Sequence, residues 1–185
     1  RPHAKGYGTA MGQDPELVKE IVTAVKAAVD IPVIPKLTPN VPNIGEIAQA
    51  AVAGGADGIC AINTMGPERY HSHGHDILSN GEGGVSGKAI LGRALECVQE
   101  IHDCVDVPIV ACGGISNAEN VRHFQEAGAA IIGAGSALIG MNTEEIAEYF
   151  RVLSRDLEAD TEAAEALVRY DIDMDFEPVT LLQNR

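Results

Sequence analysis

Basic residues are scarce in this chain: 13 lysines and arginines stand against 27 aspartates and glutamates, a formal net charge of −14. A nucleic-acid binder leaves a basic footprint, so the balance argues against that class. No apolar run approaches the roughly 20 residues of a membrane span, and no signal-peptide pattern opens the chain. A cytoplasmic protein is expected, with neither nucleic acid nor membrane among its partners. The four cysteines (Cys60, Cys97, Cys104, Cys112) lack any Cys-x-x-Cys spacing and sit inside apolar strand or helix patterns. They read as buried free thiols rather than disulfides. An initiator methionine is also missing, and the chain enters directly into a loop-like stretch, which reads as a piece of a longer protein.

What is present is a regular alternation of helical and strand patterns. Residues 16–29 place Leu17, Ile21, Ala24, Val25 and Ala28 on one helical face. Asp14 is positioned to cap this helix, and Pro15 is tolerated at its first position. A strand is expected at 32–37, then a helix opened by Asn43 with Glu46 at capping-box spacing. A second strand is expected at 56–63. A long connection from about Thr64 to Gly87 then leads to a helix over 88–103. Further strands are expected at 107–112 and 129–133. Helices follow them, one opened by Ser116 with Glu119 and running to about Ala127, the other by Asn142 with Glu145 and running to about Leu157. Apolar, unalternating strands that alternate with helices imply a parallel sheet covered by helices, an α/β fold.

Two of the strand ends are glycine-rich: Cys112-Gly113-Gly114-Ile115-Ser116 and Ile132-Gly133-Ala134-Gly135-Ser136. Without a Cβ to hold an anion away, such backbone can close around a phosphate. In a (β/α)8 barrel the loops after strands seven and eight commonly do this. A complete barrel needs about 250 residues, so four βα units here read as the C-terminal half, with the missing strands before Arg1. Half a barrel exposes strand edges and an apolar layer, and a homodimer or the missing half is expected to cover them. Polar residues at strand C-termini face the active site of such barrels. Lys36 ends the first strand between apolar and proline residues, as an inward cation or a snorkelling surface lysine. Asn63 and Thr64 end the second, as ligand contacts or a turn cap. The run Gly83-Gly84-Val85-Ser86-Gly87 offers N–H groups to an anion or is a flexible loop. His71-Ser72-His73-Gly74-His75 is read as a polar loop, a lid over the site, rather than a metal site.

The succession Lys36-Leu37-Thr38-Pro39-Asn40, Ile62-Asn63-Thr64, Gly83-Gly84-Val85-Ser86-Gly87, Cys112-Gly113-Gly114-Ile115 and Gly135-Ser136-Ala137 resembles the C-terminal half of dihydroorotate dehydrogenases. Those are FMN-dependent (β/α)8 barrels of pyrimidine biosynthesis. The resemblance runs from Arg1 to about Gly140. It implies that Lys36 sits against the flavin ring near N1, and that Ile62 and Gly87 contact the flavin and its ribityl chain. It also implies that Gly113, Gly114, Gly135 and Ser136 bind the FMN phosphate, and that Asn63 and Thr64 bind the pyrimidine. The implied reaction oxidises dihydroorotate to orotate with hydride transfer to the flavin. The chain departs from the family pattern at its start. The active-site base would fall at Arg1, and arginine is not deprotonated in proteins; His3, where an asparagine is usual, is a possible substitute.

Two other readings stand beside this one. The glycine-rich ends also suit other FMN-dependent or phosphate-binding barrel enzymes. Residues 1–155 form the barrel half in either case. Residues 156–185 are a separate acidic tail with nine aspartates and glutamates up to Glu177 and a terminal strand at 178–183. That tail suits an assembly or electron-transfer surface. One class of the resembled family passes electrons to a flavin and iron–sulfur subunit reaching NAD, and the last ten residues vaguely resemble that subunit's first strand. The terminal strand is either an extra strand packed on the barrel or the start of a further domain.

Overall fold

The computed structural model describes residues 8–158; Arg1, His3 and the expected strand at 178–183 lie outside the described residues. A 3-10 turn at Gly8–Gln13 leads into α1 (Pro15–Ala28), followed by β1 (Lys36–Leu37), α2 (Ile44–Ala53) and β2 (Ile59–Ala61). An antiparallel excursion comes next: β3 (Met65–Arg69), β4 (His71–Ser72), β5 (His75–Asp76) and β6 (Glu82–Val85). Then come α3 (Leu91–His102), β7 (Ile109–Cys112), α4 (Ala118–Glu126), β8 (Ile131–Gly133) and α5 (Thr143–Glu158). Strands β1, β2, β7 and β8 form one sheet in that order, and every neighbouring pair is parallel. This is the α/β architecture expected from the alternation, four consecutive βα units.

Register sorts the sheet into two faces. Leu37, Ala61 and Ala111 lie side by side and are buried, as are Ile59 and Ile109 one pleat earlier. Against this face pack Ile44, Ile47 and Ala48 of α2, Cys97, Val98 and Ile101 of α3, and Phe124 of α4. The alternate residues (Lys36, Cys60, Val110, Cys112) point to the opposite face and are exposed or half-buried. So strands whose sequence is apolar without alternation alternate in burial, because helices cover one side only.

Side-chain caps set most helix starts. Asp14 accepts from Glu16 N (3.0 Å) and Leu17 N (3.3 Å), with Pro15 in the first turn. Asn43 accepts from Glu46 N at 3.2 Å. Asn142 accepts from the backbone N–H groups of Glu144 and Glu145 and donates its own N–H to the Glu145 carboxylate, a reciprocal box. The expected cap at Ser116 is displaced by one residue: Asn117 accepts from Asn120 N at 2.9 Å, while Ser116 donates to the Asn120 side chain.

Other expectations are corrected. α1 buries Val18 and Val22 rather than the Leu17–Ile21–Val25 stripe, and Val25 is exposed. The helix carries apolar residues on more than one face. The choice falls to the approach of Gly54, whose missing Cβ would lie 2.7 Å from Lys19 O and 3.0 Å from Val22 Cβ. The connection from Thr64 to Gly87 is a paired structure, not a polar loop. β3 and β6 form one ribbon, and β4 and β5 a hairpin in which His71 sits 2.8 Å from Asp76. Among the described residues, no three His, Cys, Asp or Glu side chains are grouped to hold a metal. The cysteines are all free thiols, but only Cys97 is fully buried and Cys104 is exposed. No helix among the described residues is long and apolar enough to cross a membrane.

The stretch entering β1 contains Pro32 and Pro35, which cannot donate to a ladder, and its assigned strand is only two residues long. Its carbonyls still accept: Asp57 N donates to Val33 O and Cys60 N to Pro35 O, both at 2.9 Å. Asp57 locks this segment to α1. Its carboxylate accepts from Lys26 Nζ at 2.6 Å and from Val33 N at 2.7 Å. The Lys26 ammonium first, and the Val33 N–H second, hold the Asp57 carboxyl below its usual range. A depressed carboxyl pKa stabilises the fold above the unfolded-state value, about 3.9, and the contribution disappears as pH falls through the folded-state value. Asp57→Asn is therefore expected to lower the thermal midpoint at neutral pH. The gap from the wild type should close as the melting series is carried below about pH 4; a pH-independent gap would mean that the carboxylate charge is not what matters.

Candidate active site

Parallel strands deliver their C-terminal ends to one edge of the sheet, and the loops leaving those ends surround a cavity of about 440 Å³. From β1 comes Lys36, and from β2 come Ile62, Asn63 and Thr64. The turn ahead of α3 supplies Ser86, Gly87 and Lys88. Cys112, Gly113 and Gly114 arrive from β7, and Gly135 and Ser136 from the loop after β8. The nine described residues to which the resemblance gives a role (Lys36, Ile62, Asn63, Thr64, Gly87, Gly113, Gly114, Gly135, Ser136) line this one cavity, whereas of the run Gly83–Gly87 only Ser86 and Gly87 reach it. Arg1 and His3 are not among the described residues.

Backbone geometry makes the β7 loop a glycine position twice over. Gly113 and Gly114 have φ of 134° and 75°, a region L side chains rarely adopt. A Cβ on Gly113 would lie 2.7 Å from Ala94 Cβ, and one on Gly114 would lie 2.8 Å from Gly87 O and 2.9 Å from Leu91 Cβ. The loop thus packs directly on the start of α3. Gly135 differs: a Cβ there would meet nothing within 4 Å. The two loops are tied together through the α3 turn, because Ser136 Oγ donates to Ser86 Oγ at 3.0 Å.

The β2 end is held by groups that spacing alone does not reveal. Asn63 N donates to Leu37 O at 2.8 Å, and Asn63 Oδ1 accepts from Thr64 N at 2.8 Å. Asn40 is the hub beneath it. Its amide donates to Thr38 Oγ1 and Thr64 O and accepts from Gly66 N, at 3.0–3.1 Å. Asn40 thereby fixes the β1 loop to the loop that carries Asn63 and Thr64. Thr64 in turn packs so closely on Gly84 that a Cβ there would collide with its hydroxyl. The Ala61–Ile62 peptide at this turn is cis.

Electrostatics concentrate at Lys36. Its ammonium acts on two thiols, Cys60 and Cys112, whose sulfurs are 3.8 Å apart. The hydrogen bond from Cys60, supported by Lys36 and opposed by burial, holds the Cys112 thiol below the ordinary thiol range. The same bond and burial push Cys60 up. Cys112 carried no functional expectation, since a cysteine ending an apolar strand reads as core; its place beside Gly113 at a strand end is the signal that was there.

A family model described as dihydroorotate dehydrogenase matches residues 1–155. The chain belongs to the dihydroorotate dehydrogenase family. It is 47% identical over 138 residues to a protein of Methanocella arvoryzae named "Dihydroorotate dehydrogenase B (NAD(+)), catalytic subunit", covering 74% of this chain and 46% of that one. A protein of the same name from Methanothermobacter thermautotrophicus is 42% identical over 161 residues, covering 85% and 52%. The chain thus spans about half the length of the relatives it matches. Among solved structures, a dihydroorotate dehydrogenase from Eimeria tenella in complex with ferulenol superposes with a TM-score of 0.70 at 19% identity, over 92% of this chain and 50% of that one. At that identity the likeness is one of fold, and it agrees with four βα units of a dihydroorotate dehydrogenase barrel.

The contrast between the two glycine loops gives a direct test of this geometry. Gly114→Ala is expected to lower stability by about 1–3 kcal/mol, read from chemical denaturation. Gly135→Ala should be nearly neutral. Equal effects would show that the packing of the β7 loop on α3 is not the constraint described here.

Proposed function

We propose that this chain supplies the cofactor- and substrate-holding half of an FMN-dependent dihydroorotate dehydrogenase, which oxidises dihydroorotate to orotate in pyrimidine biosynthesis. The observation that carries the reading is convergence: a lysine, a carboxamide–hydroxyl pair and two glycine-rich loops, distant in sequence, border a single cavity. The donors present suit a flavin's phosphate. Gly113, Gly114 and Gly135 border the cavity without side chains of their own, and Gly135 faces open space where a Cβ would be, which supports a phosphate group approached by main-chain N–H groups.

In this reading Gly113, Gly114, Gly135 and Ser136 hold the FMN phosphate, and the Ser86–Ser136 hydrogen bond keeps the two loops at a common spacing. Ile62 and Gly87 border the ring and ribityl chain. Lys36 places a positive charge beside the ring near N1, where it favours the electron-rich form. Asn63 and Thr64 orient the pyrimidine by hydrogen bonding, positioned through Asn40. When bound, the flavin supplies the hydride-accepting chemistry. The residue that removes the substrate proton is sought at the start of the chain, where Arg1 remains protonated and His3 has a suitable ordinary pKa. The relatives' names, which give a catalytic subunit and NAD(+), support extending the proposal to the whole protein as a catalytic subunit whose electrons reach NAD. To this the family resemblance adds a flavin and iron–sulfur partner subunit, a homodimer and a cytoplasmic setting.

The whole protein should show flavin absorbance that bleaches on anaerobic addition of dihydroorotate. Lys36→Met should retain the flavin but slow bleaching by about 10²–10³-fold, the scale for loss of one preorganised electrostatic partner. Absent flavin would sink the reading; flavin that dihydroorotate leaves oxidised would remove the substrate assignment.

A further inference from the structure

The proposed reaction gives no role to a thiol in the cavity wall. Cys112 lies on the cavity side of β7 and is half-buried. From β2, Cys60 projects to the same face and brings its sulfur to 3.8 Å. From β1, Lys36 stands in register with Cys60, and its charge bears on both sulfurs. From β8, the residue opposite Cys112 is Gly133, whose absent Cβ would lie 2.7 Å from the Cys112 sulfur. That side therefore packs backbone against the sulfur and contributes no titratable group. An ammonium nearby favours the anionic form of a thiol, and one S–H between two sulfurs is best donated to the one that carries the charge. Cys112 borders the cavity and Cys60 does not, so the sulfur facing the opening, the one within reach of a cavity ligand, is taken as the acceptor.

We propose that Cys112 is a nucleophilic thiolate in the cavity wall, a covalent site for small carbon electrophiles such as α,β-unsaturated carbonyl compounds. The sulfur lone pair forms a C–S bond at the β-carbon. The π electrons move to the α-carbon, and water supplies the proton there, so no oxidant or reductant is consumed. With an alkyl iodide the C–S bond forms as the C–I bond breaks and iodide leaves with the electron pair. The site depends on the three side chains and on the absence of a side chain at Gly133 that would crowd the sulfur, and not on which molecule otherwise fills the cavity.

Iodoacetamide labelling of the native whole protein, stripped of bound small molecules and read by peptide mapping, tests this, with the exposed Cys104 as internal comparator. At about pH 6.5 a thiolate is already formed where an ordinary thiol, with a pKa of about 8.5, is about 1% ionised. Its lower nucleophilicity takes back about tenfold of that advantage. Cys112 should therefore label several-fold faster than Cys104 at about pH 6.5, and the lead should vanish by about pH 9. Cys60→Ala, which removes the S–H donor, should erase the lead at the lower pH. Faster labelling of Cys104 at about pH 6.5, or a lead for Cys112 that is the same at both pH values or unmoved by Cys60→Ala, would overturn the proposal.

Discussion

The parallel register of four short strands is the constraint on which the site depends. Lys36 opposite Cys60, Ile59 opposite Ile109 and Val110 opposite Ile131 align the strands so that all four end at the same edge. With a period of two along each strand, this alignment also decides which residues meet the helices and which meet the cavity. A slip of one residue would send Leu37, Ala61 and Ala111 to the open face and Lys36 and Cys112 into the apolar layer under the helices. The core and the chemistry are thus two readings of one register.

Close approach of backbone to side chain then turns an edge into a cavity. The β7 loop can lie on the first turn of α3 because Gly113 and Gly114 present no Cβ to Ala94, Leu91 and Gly87. The β2 loop can lie against β6 because Gly84 leaves room for Thr64. Asn40 supplies the polar counterpart: two hydrogen bonds hold two loops together and a third, to Thr38, fixes its own loop, without Asn40 lining the cavity itself. Helix caps at Asp14, Asn43, Asn117 and Asn142 finish the local structure at the helix starts. None of these contacts is strong alone, since a typical hydrogen bond nets about 1 kcal/mol; their value lies in the positions they leave for Lys36, Asn63 and Ser136.

Much of this was legible in the chain because the signals are local. Asp14-Pro15, Asn43 with Glu46 and Asn142 with Glu145 announce helix starts within four residues, and those three starts are observed. Ser116 failed by one position because Asn117, with Asn120 three residues on, offers the backbone an equally suitable acceptor. The strands were legible as apolar runs but came out shorter, β1 most of all, since Pro32 and Pro35 cannot donate. What stayed hidden is non-local. The ribbon between Met65 and Val85 pairs glycine and charged residues across more than ten positions of chain, so no hydrophobic period marks it. The face of α1 was misread because Gly54, not the helix's own pattern, selects Val22. Likewise nothing in the spacing of Cys60 and Cys112 indicates that diagonal strand positions bring their sulfurs together under one lysine.

That lysine has more than one claim on it. A positive charge in a cavity is shared among the negative groups it reaches, and each lowers the benefit available to the others. Lys36 acts on Cys112 and Cys60, supporting ionisation at the sulfur that faces the opening. An occupant that brings negative charge close to Lys36 would take part of that support and add repulsion between itself and the thiolate. Occupancy and thiol ionisation are then linked with opposite sign, so that filling the cavity with an anionic ligand returns a proton to Cys112 and an adduct on Cys112 leaves Lys36 free for other charge. The exchange is structural as well as electrostatic, because Cys112 borders the same cavity the ligand fills.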